Sequence, residues 1–164
     1  MKSWLGLGSN MQQPVRQMQV ALDRLGGADG IEIFGISSFY RTTPWGDEQQ
    51  DDFINAVVQI ETSLDPVSLL SVLQSIEIVM GRQRSARRWG PRKIDIYLLL
   101  YGARRYHSAE LEIPHPRMHE RAFVLMPLAE LNTDLEIPGR GKVGGLLQHL
   151  DCSGVNRLVD GDRD

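Results

Sequence analysis

The chain has 164 residues, of which 41% are hydrophobic and 24% charged, so we expect one soluble globular domain over residues 1–164. Its formal net charge of −3 argues against a general nucleic-acid binder or a protein of anionic membrane surfaces. The single cysteine, Cys152, excludes an internal disulfide, and no apolar run is long enough for a signal peptide or a membrane span, so we expect a cytoplasmic protein.

The first two-thirds of the chain alternate strand and helix signals. Runs of β-branched and aromatic residues indicate strands, and apolar residues at spacings of three and four indicate helices. Pro14 is typical of a helix start, and Asp65 followed by Pro66 is typical of an N-cap and first turn. The predicted elements are a strand over 3–8, a helix over 14–27, strands over 31–42 and 53–62, a helix over 63–81 and a strand over 93–102.

This order predicts an α+β fold with a ferredoxin-like βαββαβ core over residues 3–102. An extension over residues 103–150 follows it, and residues 151–164 are expected to form a loose tail. A core of this kind hosts many activities, so the function must be argued from the site.

The extension carries weaker signals. Residues 113–131 are predicted to be helical with an interruption before Pro127, because proline lacks the backbone N–H that a helix interior needs. Residues 134–138 are predicted as a short strand and residues 143–150 as a short helix.

The charge is unevenly distributed along the chain. Residues 78–94 include no acidic residue, and they hold six of the 18 basic ones: Arg82, Arg84, Arg87, Arg88, Arg92 and Lys93. The segment is either a solvated loop with counter-charges nearby or an anion site. Because the rest of the chain is acidic, a small polyanion such as a nucleotide triphosphate fits an anion site better than a long one.

The loop before the strand at 53–62 carries a second candidate site. Trp45 and Phe53 flank a polar segment, and Asn55 lies two residues into the strand. On one interpretation, Phe53 serves only the core and Trp45 only anchors the loop. Alternatively, a flat heterocycle stacks on an aromatic ring while Asn55 reads its polar edge with a donor and an acceptor.

Gln74 and Glu77 lie three residues apart on one face of the second predicted helix. A solvated polar face is the default interpretation. Contact with a ligand requires that this face overlook the arginine-rich loop.

His115 and His119 have a spacing that can hold a metal on a helix. Prolines on both sides of His115 place it before the helix, and no third ligand is evident, which disfavours zinc. With Arg117 and Arg121 close in sequence, His115 is better interpreted as part of a second basic wall facing an anion.

Asp95 and Tyr97 are expected on one face of the last predicted strand, because side chains alternate along a strand. Ile94, Ile96 and Leu98 would then face the core. Asp95 is either a salt-bridge partner of the arginines or a ligand of Mg²⁺, which often takes one or two carboxylates plus substrate phosphates.

These segments, in this order, resemble the 6-hydroxymethyl-7,8-dihydropterin pyrophosphokinase family of folate biosynthesis. The matching motifs are GLGSN at 6–10, SSFYRTTPWG at 37–46, FINAVVQIETSL at 53–64, LQSIEIVMGRQRSARRWGPRKIDI at 73–96 and IPHPRMHERAFVLMPLAEL at 113–131. The resemblance covers nearly all of residues 3–140.

The resemblance implies a monomer that transfers the pyrophosphoryl group of ATP to the pterin hydroxymethyl group with Mg²⁺ and releases AMP. Implied pterin contacts are Thr42, Thr43, Trp45, Phe53, Asn55 and Phe123, with Phe53 and Phe123 sandwiching the ring. Implied ATP contacts are Gln74, Glu77, Arg84, Arg88, Trp89, Arg92, His115 and Arg121. Catalytic roles are implied for Arg82 and Arg92, which would stabilise charge during transfer, and for Asp95 as a metal ligand.

Tyr97 departs from the family motif, which has two acids, D-x-D, where this chain has Asp95 and Tyr97. A neutral phenol is a poor Mg²⁺ ligand, so we expect a weakened site for one or two ions. Losing a ligand worth roughly 3–5 kcal/mol would slow transfer about 10²- to 10⁴-fold. The chain is therefore either an impaired enzyme or a paralogue that binds pterin or nucleotide in another role. A ferredoxin-like RNA-binding module is disfavoured by the acidic balance and the missing aromatic signature.

Overall fold

The structure is a computed structural model that describes residues 1–11, 13–43, 51–81 and 94–159. Its strands are β1 (Lys2–Ser9), β2 (Ile31–Ile36), β3 (Tyr40–Thr42), β4 (Phe53–Thr62), β5 (Asp95–Tyr101), β6 (Tyr106–His107), β7 (Glu112–Ile113), β8 (Glu136–Ile137), β9 (Gly141–Lys142) and β10 (Val155–Arg157). Its helices are α1 (Pro14–Gly26), α2 (Pro66–Val79), α3 (Ala122–Leu131) and α4 (Val143–Leu147), with a 3-10 turn over Met118–Glu120.

The main sheet is antiparallel and has the strand order β10-β3-β4-β1-β5. Strand β2 also pairs with β4, next to β3 on the same edge. The small pairs β6-β7 and β8-β9 lie outside the main sheet. The predicted α+β, ferredoxin-like core is confirmed.

Side chains on the two faces of this sheet belong to two different hydrophobic clusters, as strand alternation requires. On one face, Leu5, Leu7, Ile96 and Leu98 pack with the apolar sides of α1 and α2; we call this cluster the first core. On the other face, Trp4, Val57 and Leu99 pack with Val124, Leu125 and Leu128 of α3; we call this cluster the second core. The alternation predicted for the last strand is confirmed.

Local signals set the start of α2. Asp65 is its N-cap, and the Asp65 Oδ1 accepts a hydrogen bond of 2.9 Å from the Ser68 N–H, while Pro66 occupies the first turn. Such a cap satisfies a backbone donor that the helix itself leaves unpaired.

The single strand predicted over 31–42 is wrong, because residues 37–39 separate β2 from β3. Ser37 takes the place of a regular ladder residue: its N–H donates to the Val57 carbonyl, and its Oγ accepts from the Val57 N–H, both at 2.9 Å. The Ser37 hydroxyl thus accepts from a β4 backbone N–H where a carbonyl ordinarily would, so this N–H stays hydrogen-bonded at the break between β2 and β3.

The predicted interruption before Pro127 is also wrong, since α3 continues through that residue. The helix starts later than expected, at Ala122, after β7 and the 3-10 turn. Proline removes one internal hydrogen bond, but Val124, Leu125 and Leu128 bury the apolar side of α3 in the second core. The short strand and the short helix predicted near the end of the extension are confirmed as β8 and α4.

The expected loose tail is wrong over Val155–Arg157. These residues form β10, which pairs with β3 in the register Val155↔Thr42 and Arg157↔Tyr40. Val155 is buried against Tyr40, which accounts for the order of the segment. Across the described ranges, no helix combines the length and the apolar character that crossing a bilayer requires.

Candidate active site

The centre of the site is Gly8, near the end of β1. Gly8 lies opposite Asn55 on one side and opposite Asp95 on the other. Directly opposed residues of antiparallel strands point to the same face, so the amide and the carboxylate flank a position without a side chain. A Cβ on Gly8 would lie 2.8 Å from the Asn55 Oδ1.

The glycine at position 8 was not recognised as a site residue from the sequence. The signal was present, because Gly6 and Gly8 alternate along β1 and therefore leave one face of its second half without side chains; we call this the bare face. The bare face is the one that carries Asn55 and Asp95 on the neighbouring strands.

Asn55 and Thr42 form the polar part of the expected pterin pocket. The Asn55 Nδ2 donates a hydrogen bond of 2.9 Å to the Thr42 Oγ1, and both side chains are buried. Phe53 lies directly opposite Thr42 in the β3-β4 pair and is partly exposed. Thr43 follows β3, is exposed, and donates its N–H to the Gly154 carbonyl at 3.4 Å.

Asp95 and Tyr97 face the same side of β5, as predicted, and are in contact. The Tyr97 hydroxyl donates a hydrogen bond of 3.1 Å to the Asp95 Oδ2. Asp95 is only 4% exposed, so a charged carboxylate here requires nearby donors or a cation.

His115 packs against Tyr97 edge to face, with 5.7 Å between the ring centroids. Burial, followed by the charges of Arg121 and Arg117, lowers the pKa of His115 to about 4, so the ring is neutral at neutral pH. Its Nδ1 accepts a hydrogen bond of 3.2 Å from the Arg117 N–H. The proton of the neutral ring is therefore on Nε2, which is a donor. The His115 backbone N–H donates to the Leu99 carbonyl at 2.9 Å and ties the segment to β5.

Arg121 adds a positive charge beside this group. Its guanidinium carbon lies 5.5 Å from the centroid of the Phe123 ring, within the range of a cation–π contact. Burial lowers the pKa of Arg121, and the electrostatic interaction with Tyr97 opposes that shift. Pairwise contacts therefore connect Asp95, Tyr97 and His115 with Arg121, and Arg121 with Phe123.

Of the two candidate residues of α2, only Glu77 departs from the expected solvated face. Gln74 is exposed, but Glu77 is only 4% exposed, and its Oε2 accepts a hydrogen bond of 2.9 Å from the Ile96 N–H. Because β5 is at the edge of the sheet, its outward N–H groups need acceptors from elsewhere. Glu77 supplies an acceptor for the N–H of Ile96, the residue that follows Asp95. Helical spacing alone does not reveal this contact.

His119 lies 3.5 Å from the Glu120 carboxylate. Within the described part of the chain, no three His, Cys, Asp or Glu side chains are grouped as a metal centre would need. Six of the predicted site residues lie outside the described residues: Trp45, Arg82, Arg84, Arg88, Trp89 and Arg92. Most of the predicted anion site at 78–94 also lies outside the described residues.

Known proteins share both the sequence pattern and the fold of this chain. Residues 4–133 match the family model described as 7,8-dihydro-6-hydroxymethylpterin-pyrophosphokinase (HPPK).

Solved structures share the fold. An HPPK-DHPS in complex with substrates matches with a TM-score of 0.71 and 13% identity, over 90% of this chain and 42% of that one. Plasmodium falciparum HPPK-DHPS A437G with STZ-DHP matches with a TM-score of 0.72 and 15% identity, over 90% and 45%. This chain therefore spans less than half the length of either solved chain.

Curated relatives match over most of their length. A protein of Methylorubrum extorquens named 2-amino-4-hydroxy-6-hydroxymethyldihydropteridine pyrophosphokinase is 46% identical over 157 residues, which is 96% of this chain and 98% of the relative. A protein of the same name from Haemophilus influenzae is 43% identical over 136 residues, or 83% and 84% of the two chains. The chain belongs to the 7,8-dihydro-6-hydroxymethylpterin-pyrophosphokinase family.

Proposed function

We propose that this chain transfers the pyrophosphoryl group of ATP to the hydroxymethyl group of 6-hydroxymethyl-7,8-dihydropterin and releases AMP. The family and its relatives at 39–46% identity confirm the predicted transferase class and its place in folate biosynthesis. They do not favour the alternative of an inactive paralogue. The observation that carries the proposal is the row of Asp95, Gly8 and Asn55 across three adjacent strands.

The pterin would lie on the Asn55 side of this row. Thr42 holds the Asn55 amide in one orientation through the 2.9 Å hydrogen bond. Held in this way, the Oδ1 is an acceptor and the second Nδ2 hydrogen a donor, the pair that the polar edge of a pterin requires. Phe53 and Phe123 supply aromatic faces for the ring, and Trp45 remains an expected contact.

The polyphosphate would lie on the other side, against Arg121 and His115. Arg121 brings a permanent charge, and the neutral His115 brings an Nε2–H donor whose tautomer is set by the Arg117 N–H. Donors fixed before the substrate arrives stabilise the negative charge on phosphate oxygens without reorganising during transfer. Five candidates outside the described residues are expected to extend this wall: Arg82, Arg84, Arg88, Trp89 and Arg92.

Asp95 is the described residue that would hold Mg²⁺. A single buried carboxylate fits an ion whose other ligands are water and substrate phosphates. When bound, the ion neutralises phosphate charge and orients the ATP. Tyr97 fits poorly as a second ligand, and its hydroxyl donates to the Asp95 Oδ2. We therefore propose that one ion is held well and that a second is held weakly or not at all.

Tyr97 substitutions test both parts of the proposal. AMP release from ATP, Mg²⁺ and the pterin is measured for the native chain, for Tyr97→Phe and for Tyr97→Asp. We expect turnover by the native chain, little change for Tyr97→Phe, and an increase of about 10²- to 10⁴-fold for Tyr97→Asp, since only this variant adds a metal ligand.

Absence of AMP release in the native chain would refute the activity. Native turnover equal to that of Tyr97→Asp would instead refute the weakened metal site. Titration of the chain with Mn²⁺ and a non-hydrolysable ATP analogue, followed by electron paramagnetic resonance, counts the ions independently. Two tightly bound ions in the native chain would contradict the single-ion proposal.

We further propose that the chain acts as a cytoplasmic monomer on these two small molecules. The single cysteine supports a reducing compartment. Light scattering at micromolar concentration should give a mass near 18.5 kDa, and twice that mass would contradict the monomer.

A further inference from the structure

The carboxylate of Glu130, on α3, connects this helix to the segment that starts β3. Its Oε1 accepts a hydrogen bond of 2.7 Å from the Tyr40 hydroxyl. Its Oε2 accepts from the Ser38 N–H at 2.7 Å and from the Ser38 Oγ at 3.1 Å. We call these three residues the Glu130 bridge. A carboxylate that serves only solubility needs no protein partners, whereas this one accepts three hydrogen bonds from residues about 90 positions away in sequence. These bonds indicate a structural role.

Tyr40 connects the bridge to both halves of the pterin pocket. Its backbone pairs with Asn55 across β3 and β4, and Thr42 follows two residues later on the same strand. Its ring is 5% exposed and belongs to a small cluster with Ala122 and Val155, against which Phe123 packs. The Tyr40 ring therefore packs in the cluster that supports Phe123, while the Tyr40 backbone pairs with Asn55.

The ionisation of the pair suits a fixed hydrogen bond. Burial raises the pKa of Tyr40, and the hydrogen bond to Glu130 raises it further, so the phenol remains a donor. Burial opposes ionisation of Glu130, but hydrogen bonds from Tyr40 and Ser38 outweigh it and lower the pKa of the carboxyl. Arg157 of β10 lies opposite Tyr40, and its charge also lowers the pKa of the Glu130 carboxyl. The same charge lowers the pKa of Tyr40, but burial and the hydrogen bond to Glu130 outweigh it, so the phenol stays protonated.

The helix needs such an external contact because Pro127 lies between Phe123 and Glu130. Proline removes the N–H that would bond to the Phe123 carbonyl, so the two ends of α3 are less firmly coupled through the helix itself. The bridge joins the far end of α3 to the sheet, while Phe123 packs beside Tyr40 near the start of α3.

We propose that Glu130 is a positioning residue of the pterin pocket: through Ser38 and Tyr40 it sets the separation between Phe123 on α3 and the Thr42–Asn55 pair on the sheet. The inference rests on the proposed function, because it concerns the pterin side of the same site. It predicts that loss of the bridge weakens pterin binding and leaves ATP binding unchanged, since no ATP candidate among the described residues contacts the bridge.

The test measures two dissociation constants by isothermal titration calorimetry on the full chain. One is for the pterin with a saturating non-hydrolysable ATP analogue, and the other is for that analogue alone. For Glu130→Ala we expect a pterin dissociation constant raised about tenfold and an analogue constant within about twofold of native. Glu130→Gln should lie between native and Glu130→Ala, because one oxygen acceptor remains. Glu136→Ala, an exposed glutamate on β8, is the matched control and should match the native chain.

Tyr40→Phe keeps the test decisive if Glu130→Ala fails to fold. It removes one hydroxyl and leaves both Ser38 hydrogen bonds, and we expect the pterin constant to rise about threefold. An unchanged pterin constant in folded Tyr40→Phe and Glu130→Gln overturns the inference. Equal weakening of both ligands also overturns it, because that result indicates general loosening. A native chain that binds no pterin refutes the proposed function itself, an outcome that the native titration shows before any variant is made.

Discussion

Gly8→Ala should damage pterin binding far more than stability. The added Cβ would lie 2.8 Å from the Asn55 Oδ1, whereas ordinary contacts begin at 3.4 Å, so the amide must retreat by about 0.6 Å. The hydrogen bond of 2.9 Å from Asn55 to Thr42 then lengthens or breaks. The perturbation acts on the side chain that we propose reads the pterin.

The expected magnitudes for stability and for binding are different. Loss of one buried hydrogen bond costs about 1 kcal/mol, and replacing glycine by alanine returns about 0.5–1 kcal/mol by restricting the unfolded chain. The free energy of unfolding should therefore fall by less than about 1 kcal/mol. Displacing one polar contact of a pre-organised site lowers ligand affinity about 10- to 100-fold, so the pterin dissociation constant should rise by that factor.

Gly6→Ala is a close control for this prediction. It places the same methyl group on the same face of β1, but at 3.5 Å from the Leu99 Cδ1, an ordinary van der Waals contact. Calorimetric titration with pterin and urea unfolding are measured for both variants. The reasoning is refuted if the two variants weaken pterin binding equally, or if folded Gly8→Ala binds pterin as the native chain does.

Two further predictions concern stability. Because the pKa of His115 is lowered from 6.5 to about 4, the unfolded chain takes up that proton first, and stability is lost as pH falls from about 6.5 to about 4. The free energy of unfolding should fall by at most on the order of 3 kcal/mol. Urea unfolding measures this free energy at pH 7 and at pH 5. The difference between the two pH values should be smaller in His115→Gln than in the native chain, and unchanged in the exposed His107→Gln. Leu73→Ala and Leu125→Ala each empty a fully buried position and should cost about 2–5 kcal/mol. Only Leu125→Ala, in the second core beneath the site, should also raise the pterin dissociation constant, and equal effects on binding would contradict the separation of the cores.

Features that depend on neighbouring residues were predictable from the sequence. The N-cap at Asp65 needs only the Ser68 N–H, three residues away. The shared face of Asp95 and Tyr97 follows from strand alternation alone, and their hydrogen bond agrees with it. The order of the core elements rests on similar short-range patterns.

Features that depend on distant partners were not predictable. The break after β2 involves Ser38, whose partner Glu130 lies 92 positions away. The burial of Glu77 depends on an edge N–H of β5, and the order of Val155 depends on pairing with β3. Nothing in the sequence around Glu77 indicates that its carboxylate accepts a hydrogen bond from an edge strand.

The site divides in the same way. Residue types and the family motifs identified Thr42, Asn55, Asp95, His115 and Arg121 as candidates. The structure shows which side chains each of them contacts. The role of the empty position at Gly8 required the register of three strands, because it depends on what lies beside the glycine. The proposed stacking between Phe53 and Phe123 stays a prediction.

The division of the hydrophobic interior by the sheet has a practical consequence for engineering. Stabilising substitutions can be sought in the first core, between α1, α2 and the sheet, without altering the surface that we propose receives substrate. A variant improved there would tolerate damaging changes on the other face, and these are the changes needed to separate binding from chemistry. The second core offers no such freedom, since α3 contributes to the fold and also carries Phe123, which we propose contacts the pterin.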